Sequence, residues 1–276
     1  MLSIIIPANN EEAWLGPCLE ALLAQEGLEP GAAEVIVAAN ACTDTTVAIA
    51  ESYRPAFEAK GWPLTVLDIA EGGKLNALNR GDAAATGTAR AYLDADIVCS
   101  PPLMAEIIEA LSPERPVYAS GTLVVAPARS WITHHYGRLW ARLPFMTEGV
   151  PGAGLFAVNA AGRARWDRFP DIIADDGYVQ FLFRPEERIK VTATYTWPMV
   201  EGFRALVKVR RRQDAGGREL REKFPELAAN EGKRPVRGRD HLRLFCETPV
   251  SYLVYATVTV AVKLGGRGQT GWSRGR

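Results

Sequence analysis

Through the first hundred residues, short apolar or β-branched runs alternate with longer stretches whose apolar positions recur every three or four residues. This pattern predicts βαβ units and a largely parallel sheet. Residues 2–7, 34–40, 64–69 and 90–94 read as strands, with helices over 11–25, 44–60 and 74–86 between them. Thr43-Asp44 and Glu71-Gly72-Gly73 supply capping and turn chemistry just before the second and third helices. Parallel strands bring their C-terminal ends to one edge, so the segments after strands one, two and four are expected to converge there.

Beyond Pro101-Pro102, which open a helix to about residue 111, the pattern is less regular. Residues 116–125 read as a strand, 131–146 as an aromatic-rich helix and 155–158 as a strand after Gly152-Ala153-Gly154. Residues 175–183 look helical, 189–196 extended, and 200–224 helical and basic. No internal repeat is present, and the composition of 265–276 predicts a mobile tail. The unbroken small or apolar run 252–262, even extended to 249–264, is shorter than the roughly 20 residues a spanning helix needs. A buried strand or helix is the default for it, and an interfacial anchor is the alternative.

The 276 residues are 47% apolar and 23% charged, values of a globular chain that exclude disorder, collagen-like repeats and coiled coil. Cys18, Cys42, Cys99 and Cys246 lie far apart without CxxC or zinc spacing, which argues against a disulfide framework and a structural metal and favours a reducing, cytoplasmic setting. Pro7 cuts the first apolar run after five residues, so the N-terminus reads as a strand rather than a signal peptide. The zero net charge conceals a division: residues 1–203 carry 15 basic and 25 acidic side chains, whereas 204–276 carry 17 and 7. The C-terminal quarter therefore faces an anionic surface, such as lipid headgroups or a phosphate-bearing substrate, or else packs on the acidic body or is simply solvated.

Asp94-Ala95-Asp96 is the most informative feature, because on extended backbone alternate carboxylates share a face at the sheet's C-terminal edge. Two hard oxygen ligands suit Mg²⁺ or Mn²⁺ and leave positions for water and substrate phosphates. So short a pattern is weak alone, and exposed turns account for most of its occurrences. Here it stands in company. Pro7-Ala8-Asn9-Asn10-Glu11-Glu12 follows the first strand, Asn40-Ala41-Cys42-Thr43-Asp44 the second, and Gly73-Lys74-Leu75-Asn76-Ala77-Leu78-Asn79 opens the third helix.

In the order and spacing of these motifs, together with Ile172-Ile173-Ala174-Asp175-Asp176 downstream, the chain resembles the family 2 glycosyltransferases over roughly residues 1–225. The resemblance implies the A-type glycosyltransferase fold: an α/β, Rossmann-like, mostly parallel sheet flanked by helices, here with a basic C-terminal extension. It implies a catalytic domain over 1–225, with a nucleotide-sugar half at 1–98 and an acceptor half at 99–225. Residues 226–276 form the extension, with membrane association as one possibility. It further implies that Pro7, Ala8, Asn9, Asn10, Glu11 and Asn40 line a nucleotide pocket, that Lys74 lies near the nucleotide or its phosphates, that Asp96 with Asp94 holds Mg²⁺ or Mn²⁺, and that Asp176 is the catalytic base, with Asp175 as its competitor. The partners so implied are a nucleotide-diphosphate sugar and a glycan or lipid-linked acceptor, with no nucleic acid, in the cytoplasm or peripherally on the inner face of a membrane. Asn9 stands where an aromatic is usual and Ala39 where an acidic residue often reads the base, so the resemblance bears on nucleotide binding more than on nucleotide identity.

Each residue type suits that chemistry. Cleaving the sugar–diphosphate bond builds negative charge that a fixed cation offsets, and an attacking hydroxyl needs a carboxylate within hydrogen-bond reach. Asp175-Asp176 equally suit a plain helix start. Lys74 in a first helical turn opposes the helix dipole, which an anionic ligand would explain. Gly152, Ala153 and Gly154 either allow close approach of sugar or acceptor or form a turn. Arg210-Arg211-Arg212 touch an anion or are a solvated face, and no Gln-x-x-Arg-Trp motif of processive polymerases follows. His134, His135 and His241 lack metal spacing, and Trp131, Tyr136, Trp140 and Phe145 recur at helical spacing as core or as an acceptor platform. A Rossmann dehydrogenase largely fails for want of GxGxxG after the first strand, and a sugar nucleotidyltransferase, whose glycine-rich, arginine-bearing loop is missing, is a distant second among enzymes. A catalytically silent nucleotide-sugar binder or scaffold is the alternative outside enzymes.

Overall fold

The computed structural model describes residues 1–264; the tail read from composition as mobile, 265–276, lies outside them. The chain begins β1 (Leu2–Ala8), α1 (Leu15–Leu23), β2 (Ala33–Asn40), α2 (Thr46–Ser52), α3 (Arg54–Lys60), β3 (Leu64–Ile69), α4 (Lys74–Ala84) and β4 (Ala89–Leu93). It continues with β5 (Val98–Cys99), α5 (Leu103–Ala110), β6 (Tyr118–Val125), α6 (Trp131–Trp140), α7 (Pro144–Thr147), β7 (Leu155–Val158) and α8 (Ala160–Arg163). Then come α9 (Asp175–Phe181), β8 (Arg188–Trp197), α10 (Phe203–Lys223), α11 (Gly238–Glu247) and α12 (Pro249–Leu264), with 3₁₀ turns at Pro185–Glu187 and Pro225–Asn230.

The strands form one sheet in the order β3-β2-β1-β4-β7-β6-β8-β5. The β3-β2-β1-β4 half is parallel, as the βαβ pattern predicts, with Ile5 opposite Ile36. The pairs β4–β7, β6–β7 and β5–β8 are antiparallel. β1 is buried except for half-buried Pro7, and all of β2 is buried, because helices cover both faces of a parallel sheet. On one face Ile4, Ile6, Val35 and Val37 pack with Leu19, Leu22, Phe57 and Trp62, each fully buried and each such side chain worth about 1.5–3 kcal/mol. On the other face α4 lies close, since a Cβ on Gly81 would stand 2.6 Å from Ile5 Cγ2. Asp82 pins the helix in place, accepting hydrogen bonds from Tyr92 Oη at 2.8 Å, Arg90 Nε at 3.1 Å and Arg163 Nε at 2.9 Å.

By compactness the chain divides into two units. The first comprises Met1–Leu123, Gly152–Asp171 and Phe183–Trp197 and holds the sheet. The second comprises Val124–Pro151, Ile172–Leu182 and the chain from Pro198 onward, and it is helical.

Several boundaries differ from the sequence pattern for identifiable reasons. The helix expected over 44–60 breaks at Tyr53, because Pro55 has no N–H to give the preceding turn. The one expected over 131–146 ends at Trp140 and restarts at Pro144 for the same reason. Within the second unit, the run 252–262 belongs to helix α12 despite its β-branched content, with Thr257 and Thr259 hydroxyls donating to the carbonyls of Leu253 and Tyr255 one turn back. Among the described residues no helix is long and apolar enough to cross a membrane.

Glu34 sits buried at the start of β2. Burial alone would raise its carboxyl, but hydrogen bonds from Ser3 Oγ (2.6 Å) and from the Thr86 and Gly87 amides (2.6 and 3.1 Å) outweigh this and hold it below the usual range. A depressed carboxyl stabilises the fold above the unfolded value, about 4.3, and that contribution disappears as pH falls through the lower folded value. Glu34→Gln is therefore expected to flatten the loss of stability between about pH 5 and pH 3. Urea unfolding midpoints across that range check this, and parallel curves for the two proteins would contradict it.

Candidate active site

At the C-terminal edge of the parallel strands, side-chain hydrogen bonds tie the loops of the first unit to one another. Buried Asn40, last residue of β2, donates through Nδ2 to Ala8 O at the end of β1 (2.8 Å) and accepts at Oδ1 from Gly73 N at the start of α4 (2.9 Å). Asn9 Nδ2 donates to Asn40 O (2.6 Å) and Ala41 O (3.2 Å). Asn10 Oδ1 accepts from Thr43 N (2.7 Å), and Thr46 Oγ1 accepts from Glu11 N (2.7 Å) while donating to Asp44 Oδ1 (2.6 Å). Asn10 and Ala41 both adopt left-handed backbone, at φ 51° and 44°. Asparagine tolerates this; for alanine it costs of order 1–3 kcal/mol, a strain of the kind that gathers at functional sites. Ala41 N bonds to Ile69 O (2.7 Å), and a Cβ on Gly72 would come within 3.3 Å of Ala41 Cβ, so the turn is closely fitted.

Lys74, the first residue of α4, places its ammonium 2.9 Å from Asp94 Oδ1, both side chains being partly buried. The residues after β1, β2 and β3 thus meet those after β4. Asp94-Ala95-Asp96 itself is not on extended backbone as the strand pattern predicts. It forms the turn between β4 and β5, closed by Ile97 N donating to Asp94 O at 3.2 Å, in keeping with the preference of Asp for the first position of a turn. Ala95 and Ile97 are buried, and Asp94 and Asp96 are half-exposed.

Gly152, Ala153 and Gly154 adjoin this turn, Asp94 N donating to Gly154 O at 2.8 Å. Both glycines are positive in φ and tightly enclosed: a Cβ on Gly152 would meet Tyr118 Oη, and one on Gly154 would stand 2.7 Å from Ile97 Cδ1 and 2.9 Å from Trp197 Cδ1. Tyr195 Oη donates to Ala153 O at 2.8 Å. Packing is thus sufficient reason for the glycines.

Asp175 and Asp176 belong to the second unit, in the first turn of α9. Asp175 is buried, and Asp176 Oδ1 accepts from Gly177 N at 2.7 Å. The segment before them is held by α10: Glu219 accepts from Ile173 N at 2.9 Å, and a Cβ on Gly216 would stand 3.1 Å from Ala174 Cβ and Ile173 Cγ2. Two arginines of α10 also act within this unit. Arg210 donates to Tyr136 Oη (3.0 Å) and Tyr255 Oη (2.9 Å), and Arg211 to the Ala261 carbonyl of α12 (2.8 Å). Tyr136 and Trp140 are buried in α6, and Trp131 is exposed. His135 and His241 contact Ser251 Oγ and Tyr252 Oη, both at 3.0 Å.

The sequence profile described as glycosyl transferase family 2 matches residues 3–169, more than half of the chain, and spans every loop of the edge just described. The chain belongs to glycosyl transferase family 2. It is accordingly a family 2 glycosyltransferase. A mannosyltransferase from Pyrobaculum calidifontis, PcManGT, solved with GDP-Man and Mn²⁺, is similar at 21% identity and TM-score 0.61, over 96% of this chain and 75% of that one. S. aureus TarS 1-349 is similar at 14% identity and TM-score 0.59, over 96% and 74%. Glucosyl-3-phosphoglycerate synthase from Mycobacterium tuberculosis, solved with Mn²⁺, UDP-Glc and glycerol 3-phosphate, follows at 19% identity and TM-score 0.53, over 80% and 79%. At these identities the likeness is one of fold, and it is the A-type glycosyltransferase fold. No curated protein matches the sequence significantly.

Thr46, Asp44 and Ala41, which tie this family 2 site together, were not among the residues singled out from sequence for the pocket. The Thr-Asp-Thr-Thr run after β2 signals local capping; that its third threonine, Thr46, takes the Glu11 amide 35 residues away is a tertiary fact. Nothing in the sequence marks Ala41 as left-handed.

Proposed function

We propose that the chain is an inverting glycosyltransferase that moves one sugar from a nucleotide-diphosphate donor to an acceptor hydroxyl. The observation that carries this is the Lys74–Asp94 ion pair at the edge where the loops after β1, β2, β3 and β4 meet, in a family 2 chain. On this reading Pro7, Ala8, Asn9, Glu11 and Asn40 line the nucleotide pocket, Asn40 by holding its walls together. Lys74 faces the diphosphate, and Asp94 and Asp96 hold Mg²⁺ or Mn²⁺. The donor set fits these ions: two carboxylates provide hard oxygens, and Mg²⁺ sites are commonly completed by water and substrate phosphates. Among the described residues no group of three or more His, Cys, Asp or Glu is placed to hold a metal unaided. The cation, when bound, would offset the charge gathering on the leaving diphosphate.

Asp176 would take the acceptor proton, with Asp175 its competitor, and a single base with direct attack inverts the anomeric centre. Gly152, Ala153 and Gly154 would border the sugar and acceptor, a glycan or lipid-linked hydroxyl. Thermal-shift measurements with UDP-, GDP-, dTDP- and CDP-sugars, with and without Mn²⁺, test the proposal. A metal-dependent shift with slow sugar release supports the enzyme, binding without turnover favours a silent binder, and no shift with any donor rejects both.

The same chain would sit at the cytoplasmic face of a membrane. In α12 the exposed Val250, Leu253, Val260 and Leu264 recur at helical spacing, and in α11 Leu242 and Phe245 are exposed beside exposed Arg239 and Arg243. With 17 basic and 7 acidic side chains from residue 204 on, the partner chemistry is an anionic lipid surface. Leu242→Glu with Leu253→Glu is expected to abolish co-sedimentation with vesicles containing phosphatidylserine. Unchanged sedimentation would reject membrane contact.

A further inference from the structure

In the second unit, residues 231–237 join the 3₁₀ turn Pro225–Asn230 to α11 without helix or strand of their own, and Arg234 among them is bonded in two directions. Its Nε and Nη2 donate to the two carboxylate oxygens of Glu148, each at 2.8 Å. Its Nη1 donates to Asp240 Oδ2 at 2.7 Å, and Nη2 reaches Asp240 Oδ1 at 3.4 Å. Buried Asp240 also accepts from Arg237 N at 2.9 Å, which closes the first turn of α11. These bonds hold its carboxyl down at about 2, so it stays charged and keeps Arg234 in place. Glu148 caps the end of α7 and opens the loop 148–151, whose Val150 carbonyl accepts from Gln180 Nε2 of α9 at 2.5 Å. One loop is thereby fastened on one side to α11, whose Leu242 and Phe245 are exposed, and on the other to the helix that begins with Asp175 and Asp176.

We propose that Arg234 is a positioning residue, a clasp through which the docking of α11 on anionic lipid steadies the loop 148–151 and, through Gln180, α9. The inference rests on the membrane contact proposed for α11 and α12 and adds what that contact does. A guanidinium fork held by two carboxylates is directional, so a shift of α11 is passed to Glu148 rather than absorbed by a flexible side chain. Seating Leu242 and Phe245 at the headgroup boundary restrains α11, and lipid therefore favours the fastened loop over the open one. Linkage makes this reciprocal: the fastened loop raises the affinity for lipid by the same factor.

The test is co-sedimentation of the full-length protein with vesicles of phosphatidylcholine, with and without phosphatidylserine, together with hydrogen exchange over residues 144–151 at saturating lipid. In the natural protein, phosphatidylserine vesicles are expected to slow exchange of this segment at least about fivefold, the lower end of ordinary coupling between sites. Glu148→Gln is expected to lose that slowing and to bind the vesicles about fivefold more weakly. The sign is diagnostic, because removal of a negative charge would by electrostatics alone tighten binding to an anionic surface. Glu247→Gln, the same change at an exposed position of α11, should bind as tightly as the natural protein or more tightly. Arg234→Lys leaves the charge unaltered but has no fork, and it too should lose the slowing. If vesicles bind the natural protein without slowing the segment, or slow it equally in Glu148→Gln and Arg234→Lys, the clasp transmits nothing and membrane contact stands. If the natural protein does not sediment with phosphatidylserine vesicles, membrane contact itself falls, and the role of the clasp with it.

Discussion

Asp96→Ala is expected to abolish the metal-dependent part of donor binding and to lower kcat/KM by about 10³-fold, the rate equivalent of the several kcal/mol that a cation on the leaving diphosphate supplies. Asp94 is the less simple substitution, because its loss also removes an ion-pair partner of Lys74. The variant should remain folded, because the half-exposed Asp96 lies in a turn whose anchoring side chains, Ala95 and Ile97, are buried and unchanged. Its melting temperature without ligand should fall by no more than a few degrees, the usual effect of a single substitution. The decisive comparison is the stabilisation by UDP- or GDP-sugar with Mn²⁺ and with EDTA: in the variant the two should coincide. A variant that still responds to Mn²⁺ would remove Asp96 from the site.

Asp176→Asn is expected to preserve donor binding and to lower kcat by about 10²- to 10⁴-fold, the usual worth of a positioned general base. Asparagine keeps the shape of the side chain and an oxygen that can accept from Gly177 N, as Asp176 Oδ1 does at 2.7 Å. The start of α9 loses a charge–dipole contribution of about 0.3–1 kcal/mol. A fall in kcat at constant donor affinity therefore isolates the proton transfer. Asp175→Asn is the companion variant, and its effect on stability should be larger because Asp175 is buried. If Asp175→Asn loses transfer while retaining donor affinity, and Asp176→Asn turns over normally, the base is Asp175.

Much of this architecture is legible in local patterns. The strand pattern over 64–69 and 155–158 matches β3 and β7, and the glycines at 72 and 73 mark the start of α4, because alternation, β-branching and turn residues act over a few positions. A helix break is masked where a proline interrupts an otherwise continuous apolar period, as at Pro55 and Pro144. Helix α11 escaped the pattern altogether, since Asp240 and Leu244 alone of its residues are buried, and two positions cannot establish a period. The turn at Asp94-Ala95-Asp96 reads as the end of a strand because three residues carry no period of their own.

The sequence by itself determined the parallel βαβ half of the sheet, the family and the short motifs that gather at the sheet's C-terminal edge, because these depend on local periodicity, turn chemistry and residue order. Only the tertiary structure decided that Asn40 joins the ends of β1 and β2 to the start of α4, that Lys74 meets Asp94, and that Arg210 and Arg211 are engaged with Tyr136, Tyr255 and α12. Those partners lie 20 to 74 residues apart, and hydrogen bonds of about 3 Å between them depend on strand register and helix packing, which no local pattern encodes.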